Sequence, residues 1–211
     1  MAERSVLYFH GFASSPLGRK VEMLTTLLGP DSIRLNAPDL NVPSFERLDF
    51  PAMVDEGVEA GRRTPPRAIV GSSLGALVAL GVLQRGVRAP LVLIAPALGV
   101  ASRWHERIAS GDPVMVYHFV LDREIPVHRA FFDQMAEVTV DHQPPPMPVT
   151  VIMGRLDESV PFDRVQEVWE NWERSGALAP GSKFLEIPDG DHSLTSFVDI
   201  IAGEIRKAVG R

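Results

Sequence analysis

The chain contains 211 residues, of which 45% are hydrophobic and 23% charged, and its formal net charge is −6. This length is sufficient for one domain with a buried core, and an acidic balance argues against binding to nucleic acid, which calls for a clustered basic excess. The sequence has no cysteine, which excludes disulfides, thiolate catalysis and cysteine-based metal sites.

Residues 1–12 hold too short an apolar stretch for a signal peptide, and no run approaches the roughly 18 apolar residues that a membrane span needs. From these absences we expect a cytoplasmic protein with no membrane span. The sequence leaves the oligomeric state open.

Short apolar runs alternate with helical patterns along the whole chain. Each run is nearly continuous in its hydrophobicity, which is typical of strands buried on both faces of a parallel sheet. The predicted strands are residues 6–9, 33–35, 68–70, 91–95, 149–153 and 184–187. The alternation predicts an α/β fold with a doubly wound, mainly parallel sheet of about six strands flanked by helices. We expect residues 1–211 to form a single domain.

Three segments between or after these runs have the apolar spacing of amphipathic helices. The first ends before Gly29 and Pro30, and the second begins after Pro161 and ends at Gly176. The third occupies the C-terminus and includes Ile201 and Ile205.

Residues 99–148 break this rhythm. They carry aromatic and histidine side chains without a clean period, and they end in the extended run QPPPMP. Roughly fifty residues do not easily bury a core of their own, so we expect a cap or lid insertion over the edge of the sheet.

The segment GSSLG at residues 71–75 fits the pattern G-x-S-x-G, directly after a predicted strand and before a helical pattern. That context is the one in which a strained turn exposes a nucleophilic serine. The pattern assigns the nucleophile to Ser73 and leaves Ser72 as a small polar turn residue. Gly71 and Gly75 are required where a side chain would collide with the neighbouring strand or helix.

A nucleophilic serine needs a histidine base, and the histidine needs a carboxylate that orients it. Asp157 follows the strand at residues 149–153, and His192 follows the strand at residues 184–187. Both loops should therefore open at the carboxyl edge of the sheet, in the chain order serine, acid, histidine. Glu158 and Asp189 remain the alternative acids, while Asp191 suits a turn or helix-capping role better.

The other candidate bases lie in the insertion and precede every candidate acid, which is the wrong order. We expect them to be ordinary surface or lid residues. They are His105, His118, His128 and His142.

The oxyanion of a tetrahedral intermediate requires two N–H donors. One should be the residue after the nucleophile, Leu74, and the other should come from the loop that follows the first strand. In that loop Gly11 should permit an unusual backbone turn, which leaves Phe12 as the donor, and His10 should brace the loop through hydrogen bonds.

These residues resemble the α/β-hydrolase superfamily and, more narrowly, the small bacterial YqiA-like esterases. The matching segments span nearly the whole chain in order: YFHGFASSP at 8–16, NAPDLNVPSFE at 36–46, GSSLGA at 71–76, LIAPAL at 93–98, GRLDESVP at 154–161 and GDHSL at 190–194. The resemblance implies a sheet that lacks the two leading strands of larger relatives. It also implies hydrolysis of short carboxylic esters.

The sequence thus predicts a serine hydrolase that acts on a small-molecule ester or thioester through an acyl-enzyme, with no metal or organic cofactor. We expect its pocket to be lined by Phe12, residues after Pro96, the aromatic insertion, and Leu156 or Val160. The same residues can serve a thioesterase or a carbon–carbon bond hydrolase. A non-catalytic binding module on this scaffold is the alternative of a different class, whereas a serine nucleophile argues against a dehalogenase.

Overall fold

The computed structural model describes residues 3–100, 104 and 111–210. Its centre is a sheet of six strands, which are β1 (Arg4–Phe9), β2 (Ile33–Asn36), β3 (Ala68–Ser72), β4 (Leu91–Ile94), β7 (Val149–Gly154) and β8 (Lys183–Ile187). They lie in the order β2-β1-β3-β4-β7-β8, and every neighbouring pair is parallel. All six predicted strands and the mainly parallel α/β sheet are confirmed.

Among the described residues, six α-helices with defined bounds accompany the sheet. They are α1 (Arg19–Leu28), α2 (Phe50–Arg63), α3 (Leu74–Gln84), α4 (Arg129–Met135), α5 (Phe162–Arg174) and α6 (Val198–Val209). The three predicted amphipathic helices correspond to α1, α5 and α6, with α1 ending at Leu28 directly before Gly29. Helix α3 is buried along almost its full length, which explains its uniformly apolar sequence.

The connections place the helices on both faces of the sheet. The chain moves from β1 outward to β2 through α1, and then returns across the sheet through α2 and α3. Because crossovers between parallel strands are right-handed, opposite directions of travel put these helices on opposite faces. Helix α6 packs against α1, so these two cover one face together, while α2 packs against α3 on the other.

The direction of travel reverses at β1, between β2 and β3. In open α/β sheets this switch point leaves a crevice at the carboxyl ends of the strands, where ligands bind. The loop after β1 and the turn after β3 meet there.

The segment between β4 and β7 contains an antiparallel hairpin, β5 (Val114–His118) with β6 (Arg123–Val127), followed by α4. This segment contacts the loops that follow β1 and β2. The Phe119 N–H donates to the Ala13 carbonyl, and the His128 N–H donates to the Glu46 carbonyl. We therefore propose that the inserted segment covers the carboxyl ends of β1 and β2.

No helix within the described residues is long and apolar enough to cross a membrane.

Candidate active site

The turn from β3 into α3 presents Ser73 in a strained backbone conformation. Ser73 has φ 54° and ψ −118°, outside the regions that side-chain-bearing residues ordinarily adopt. The Ser73 N–H donates to the Ile94 carbonyl, and its carbonyl accepts from the N–H groups of Ala76 and Ala97. Hydrogen bonds to the end of β4 and to the residues after it therefore fix the turn.

Gly71 and Gly75 allow this turn to pack closely. A Cβ on Gly71 would lie 2.4 Å from the Gly75 carbonyl oxygen, and a Cβ on Gly75 would lie 2.2 Å from the Phe9 carbonyl oxygen. Neither position can hold a side chain unless the backbone moves, as the sequence pattern suggested.

Ser73, His192 and Asp157 form one hydrogen-bonded chain. The Ser73 Oγ lies 3.1 Å from His192 Nε2, and His192 Nδ1 lies 2.7 Å from Asp157 Oδ2. With Nδ1–H donating to the carboxylate, Nε2 is left as the acceptor for the serine proton, which is the tautomer that a base requires.

The Asp157 side chain is fully buried, and one of its two carboxylate oxygens is held by backbone N–H groups of its own loop. Its Oδ1 accepts from the N–H groups of Ser159 at 2.9 Å and Val160 at 2.7 Å, which leaves Oδ2 for His192. The loop after β7 therefore holds the carboxylate in one orientation. Glu158 and Asp189, the alternative acids, are both exposed.

Asp191 has a turn role. Its Oδ1 accepts from the Leu194 N–H at 2.8 Å, and its carboxylate also accepts from the Ser193 hydroxyl. The Ser193 hydrogen bond, together with those from backbone N–H groups, holds the pKa of Asp191 below its usual range.

The loop after β1 is held by hydrogen bonds from His10, and its left-handed turn lies at a different residue from the one predicted. The Leu40 N–H donates to His10 Nε2 at 3.0 Å, so Nδ1 carries the ring proton and donates to the Gly11 carbonyl at 2.9 Å. The left-handed turn falls on Ala13, with φ 55°, and not on Gly11. Gly11 is needed instead for close approach, since a Cβ there would lie 3.3 Å from Ser73 Cβ.

Phe12 and Leu74 are the residues predicted to supply the oxyanion donors. Leu74 is the first residue of α3, and first-turn N–H groups have no acceptor inside their own helix. In the part of the chain that the structure describes, neither the Phe12 N–H nor the Leu74 N–H donates to another protein group. Neither N–H group is therefore occupied by a protein acceptor among the described residues.

A pocket of about 670 Å³ opens above Ser73 and His192, within the usual size range of small-molecule sites. Phe12, Phe119 and Leu156 supply apolar surface, as expected. The expectation for residues after Pro96 is wrong, because Ala97 and Leu98 are buried beneath the turn. Val160 is also buried and serves to hold Asp157.

Most aromatic residues of the insertion pack behind Phe12 and do not line the pocket. The Phe12 and Phe131 rings stack with centroids 5.8 Å apart, and the other rings within 6 Å of Phe12 belong to Phe45, Trp104 and Phe132. This cluster fixes the position of Phe12.

His118 differs from the expectation of a surface or lid residue. It is 2% exposed, packs edge-on against Phe45, and accepts a hydrogen bond from the Leu121 N–H at 3.2 Å. Burial lowers the pKa of His118, so its ring is neutral and structural. His128 and His142 are exposed, and His105 lies outside the described residues.

Two further polar residues at the site were not predicted. Lys20, in the first turn of α1, donates to Ser72 Oγ at 2.9 Å, and both residues line the pocket. The Ser72 hydroxyl therefore also holds the Lys20 side chain at the pocket wall. A contact between residues so far apart in sequence leaves no spacing signal.

Within the described residues, no group of three or more histidine, aspartate or glutamate side chains is arranged to hold a metal ion.

The family model that matches the chain is an uncharacterised protein family, UPF0227, aligned over residues 5–201. No protein in a search of curated sequences matches.

Solved structures match over nearly the full length at low identity. A putative hydrolase from Agrobacterium vitis S4 is 20% identical with a TM-score of 0.78, and the match covers 98% of this chain and 88% of that one. The mouse alpha/beta hydrolase domain-containing protein 10 is 16% identical with a TM-score of 0.78, over 100% and 92%. The Pyrococcus furiosus esterase Pf2001 is 16% identical with a TM-score of 0.71, over 100% and 83%. These likenesses confirm the α/β-hydrolase fold.

Proposed function

The chain belongs to the UPF0227 family and has the α/β-hydrolase fold, and from that premise we propose that it is a serine hydrolase that cleaves small carboxylic esters. The single observation that carries this proposal is the hydrogen-bonded chain from Ser73 through His192 to Asp157. The esterase name of the Pyrococcus furiosus protein of like fold supports the ester as the bond class.

The first half of the reaction acylates Ser73. His192 Nε2 takes the hydroxyl proton as Ser73 Oγ attacks the carbonyl carbon, and the carbonyl oxygen becomes an oxyanion. The N–H groups of Phe12 and Leu74 stabilise that oxyanion, and removal of one such donor typically costs about 3 kcal/mol. As the tetrahedral intermediate collapses, the C–O bond to the alcohol breaks and His192 gives its proton to the departing alkoxide.

The second half regenerates the enzyme. His192 takes a proton from a water molecule, which attacks the acyl carbon and forms a second tetrahedral intermediate. As that intermediate collapses, the bond from the acyl carbon to Ser73 Oγ breaks, the acid is released, and His192 gives its proton to Ser73 Oγ. The Asp157 carboxylate stabilises the imidazolium each time it forms. The low exposure of Asp157 strengthens this interaction, because water does not compete for the carboxylate.

A fluorophosphonate probe tests the proposal whatever the natural substrate is, because it reacts with the activated serine itself. Wild-type protein should become covalently labelled, and peptide mass analysis should locate the adduct on Ser73. Ser73→Ala should not be labelled, whereas Ser72→Ala should still form the adduct, because its nucleophile and base are intact. Circular dichroism of each variant verifies folding.

Folded wild-type protein that resists the probe would overturn the proposal and favour the binding module. If labelling succeeds, matched p-nitrophenyl esters and acyl thioesters should be compared. We expect the oxygen esters to be turned over, and turnover of thioesters alone would reassign the enzyme as a thioesterase.

A further inference from the structure

Lys20 supplies a half-buried ammonium group in the wall of the candidate active-site pocket. Its side chain extends from the first turn of α1 and lines the same pocket as Ser73 and His192. The ammonium donates to Ser72 Oγ at 2.9 Å, and the Tyr8 phenol shares a side-chain hydrogen bond with the same residue. Because Ser72 directly precedes Ser73, the charge of Lys20 is anchored one residue from the proposed nucleophile.

This ammonium has no carboxylate partner at ion-pair distance within the described part of the chain, in contrast to the two other lysines of the sequence. Lys183 and Lys207 both pair with Glu204, at 2.6 Å and 2.8 Å. An ammonium group has three N–H donors, and the hydrogen bond to Ser72 uses one of them. The other two are available to a ligand.

Burial of the Lys20 ammonium costs free energy because the charged group loses contact with water. Burial lowers the pKa of Lys20 to about 8, although the negative charges of Asp191 and Asp157 partly oppose that shift. A cation that has lost hydrogen bonds to water gains free energy from an anionic partner that replaces them. An anionic ligand would therefore be bound more strongly here than at an exposed lysine.

The other charged side chains that line the pocket are more exposed than Lys20. Arg19, Glu158 and Asp191 also line the pocket, but all three are exposed at its mouth. Asp191 is in addition occupied by its hydrogen bonds to Ser193 and the Leu194 N–H. Lys20, in contrast to these three residues, is half-buried.

We infer that Lys20 binds an anionic group of the substrate, such as a carboxylate, and thereby selects esters that carry a negative charge close to the scissile bond. This inference rests on the proposed function and names its substrate class. Lys20 acts on specificity and takes no part in bond making or breaking.

Two matched pairs of esters test the inference. The first pair carries the charge on the acyl side: the p-nitrophenyl monoester of adipic acid and its methyl ester. The second carries it on the alcohol side: 4-acetoxybenzoate and methyl 4-acetoxybenzoate. In at least one pair, the wild-type kcat/KM should favour the charged member by about tenfold or more, the range expected of a hydrogen bond between charged groups.

Lys20→Met removes the charge and keeps an apolar chain of similar length. The ratio of charged to neutral kcat/KM should fall by about tenfold or more in the pair that wild type discriminates. Arg19→Met is the matched control, since it removes the neighbouring exposed cation, and it should leave that ratio within about twofold.

The ratio should also depend on pH. Below about pH 8 the ammonium of Lys20 is charged and the preference is full, and the preference should decline as the pH rises through about 8. Effects of pH on the bond-making steps act on both members of a pair and cancel in the ratio. The charges that act on Lys20 are those of Asp191 and Asp157. Tyr8 shares the hydrogen-bond partner Ser72, and the other titratable residues that line the pocket are Arg19, Glu158 and His192.

Equal kcat/KM values in both wild-type pairs would overturn the inference, and so would a preference that persists in Lys20→Met or disappears in Arg19→Met. If Lys20→Met does not fold, the wild-type ratio and its decline near pH 8 decide the question. Failure of the fluorophosphonate probe to label wild type would overturn the proposed function itself, so the two failures are distinguishable.

Discussion

The two oxygens of the Asp157 carboxylate have different hydrogen-bond partners. One of its oxygens accepts from two backbone N–H groups of its own loop, and the other meets His192 at 2.7 Å. With the carboxylate held in this way, the imidazole keeps the tautomer that leaves Nε2 facing Ser73.

Asp157→Asn should lower kcat on short p-nitrophenyl esters by about 10⁴-fold with little change in stability. The amide can fill the same space, but its NH₂ group would face Nδ1 and stabilise the wrong tautomer of His192. Steady-state kinetics measure the loss, and chemical denaturation monitors the fold.

Asp189→Asn is the control for that variant, because Asp189 is an exposed acid in the same loop as His192. It should retain kcat within about twofold. Near-normal turnover in Asp157→Asn together with a large loss in Asp189→Asn would move the acid role to Asp189.

At the residue scale, spacing rules identify Ser73, Asp157 and His192 as candidates because each follows a predicted strand in a fixed order. They do not identify Lys20. Its contact with Ser72 depends on how the first turn of α1 packs beside the end of β3. Such a contact is a product of the tertiary structure, and no local pattern encodes it.

At the scale of elements, the turn from β3 to α3 depends on the absence of side chains. The turn places the start of α3 directly against the end of β1, and a Cβ on Gly75 would meet the carbonyl oxygens of Phe9 and His10 at 2.2 and 2.6 Å. Those atoms are backbone at the end of β1 and the start of the loop that follows it, so they cannot move independently of the candidate site.

Gly75→Ala should therefore lower the free energy of unfolding by about 3 kcal/mol or more and reduce ester hydrolysis along with it. Urea denaturation measures the first effect, and kcat/KM of the folded fraction measures the second.

Gly203→Ala is the matched control, because Gly203 lies within α6 and a Cβ there meets nothing within 4 Å. It should raise stability by roughly 0.5–1 kcal/mol, since alanine loses less backbone freedom in a helix. Equal stability of Gly75→Ala and wild type would contradict the steric account.

Helix α2 and the β5–β6 hairpin are among the elements that the sequence analysis did not predict. Helix α2 contains two glycines and a proline, although Asp49 caps it by accepting from the Ala52 N–H at 2.8 Å and the proline occupies its first turn. That capping pattern was the available signal. The β5–β6 hairpin is short and mostly exposed, and Pro126 within β6 weakens its strand pattern.

At the scale of the whole molecule, the sheet order explains why distant loops form one site. The nucleophile turn follows β3, while the acid and histidine loops follow β7 and β8, which adjoin each other in the sheet. Parallel strands direct all of these loops to the same edge, so the alternating pattern alone was enough to predict their meeting. The path of the inserted segment was less predictable, because its contacts are with loops and not with a regular surface.

The edge strand β8 is tied to the helix layer by Glu204 of α6, which is 5% exposed and pairs with Lys183 at 2.6 Å and Lys207 at 2.8 Å. Burial alone would raise the pKa of Glu204, but the hydrogen bonds from the two lysines outweigh it and hold the pKa below its usual value. A lowered carboxyl pKa stabilises the fold above the unfolded-state value of about 4.3, and that contribution is lost as the pH falls through the folded-state value.

Glu204→Gln should lower the free energy of unfolding by about 1–3 kcal/mol near neutral pH, because Lys183 loses the counter-charge that its half-buried position requires. The difference in free energy of unfolding between wild type and variant should narrow as the pH falls below about 4, where the wild-type carboxylate also loses its charge.

Lys207→Gln is the control: its side chain is 63% exposed, so its loss should cost less than about 1 kcal/mol. Urea denaturation across this pH range measures all three proteins, and a gap that stays constant into acid would show that packing, and not charge, accounts for the contribution of Glu204.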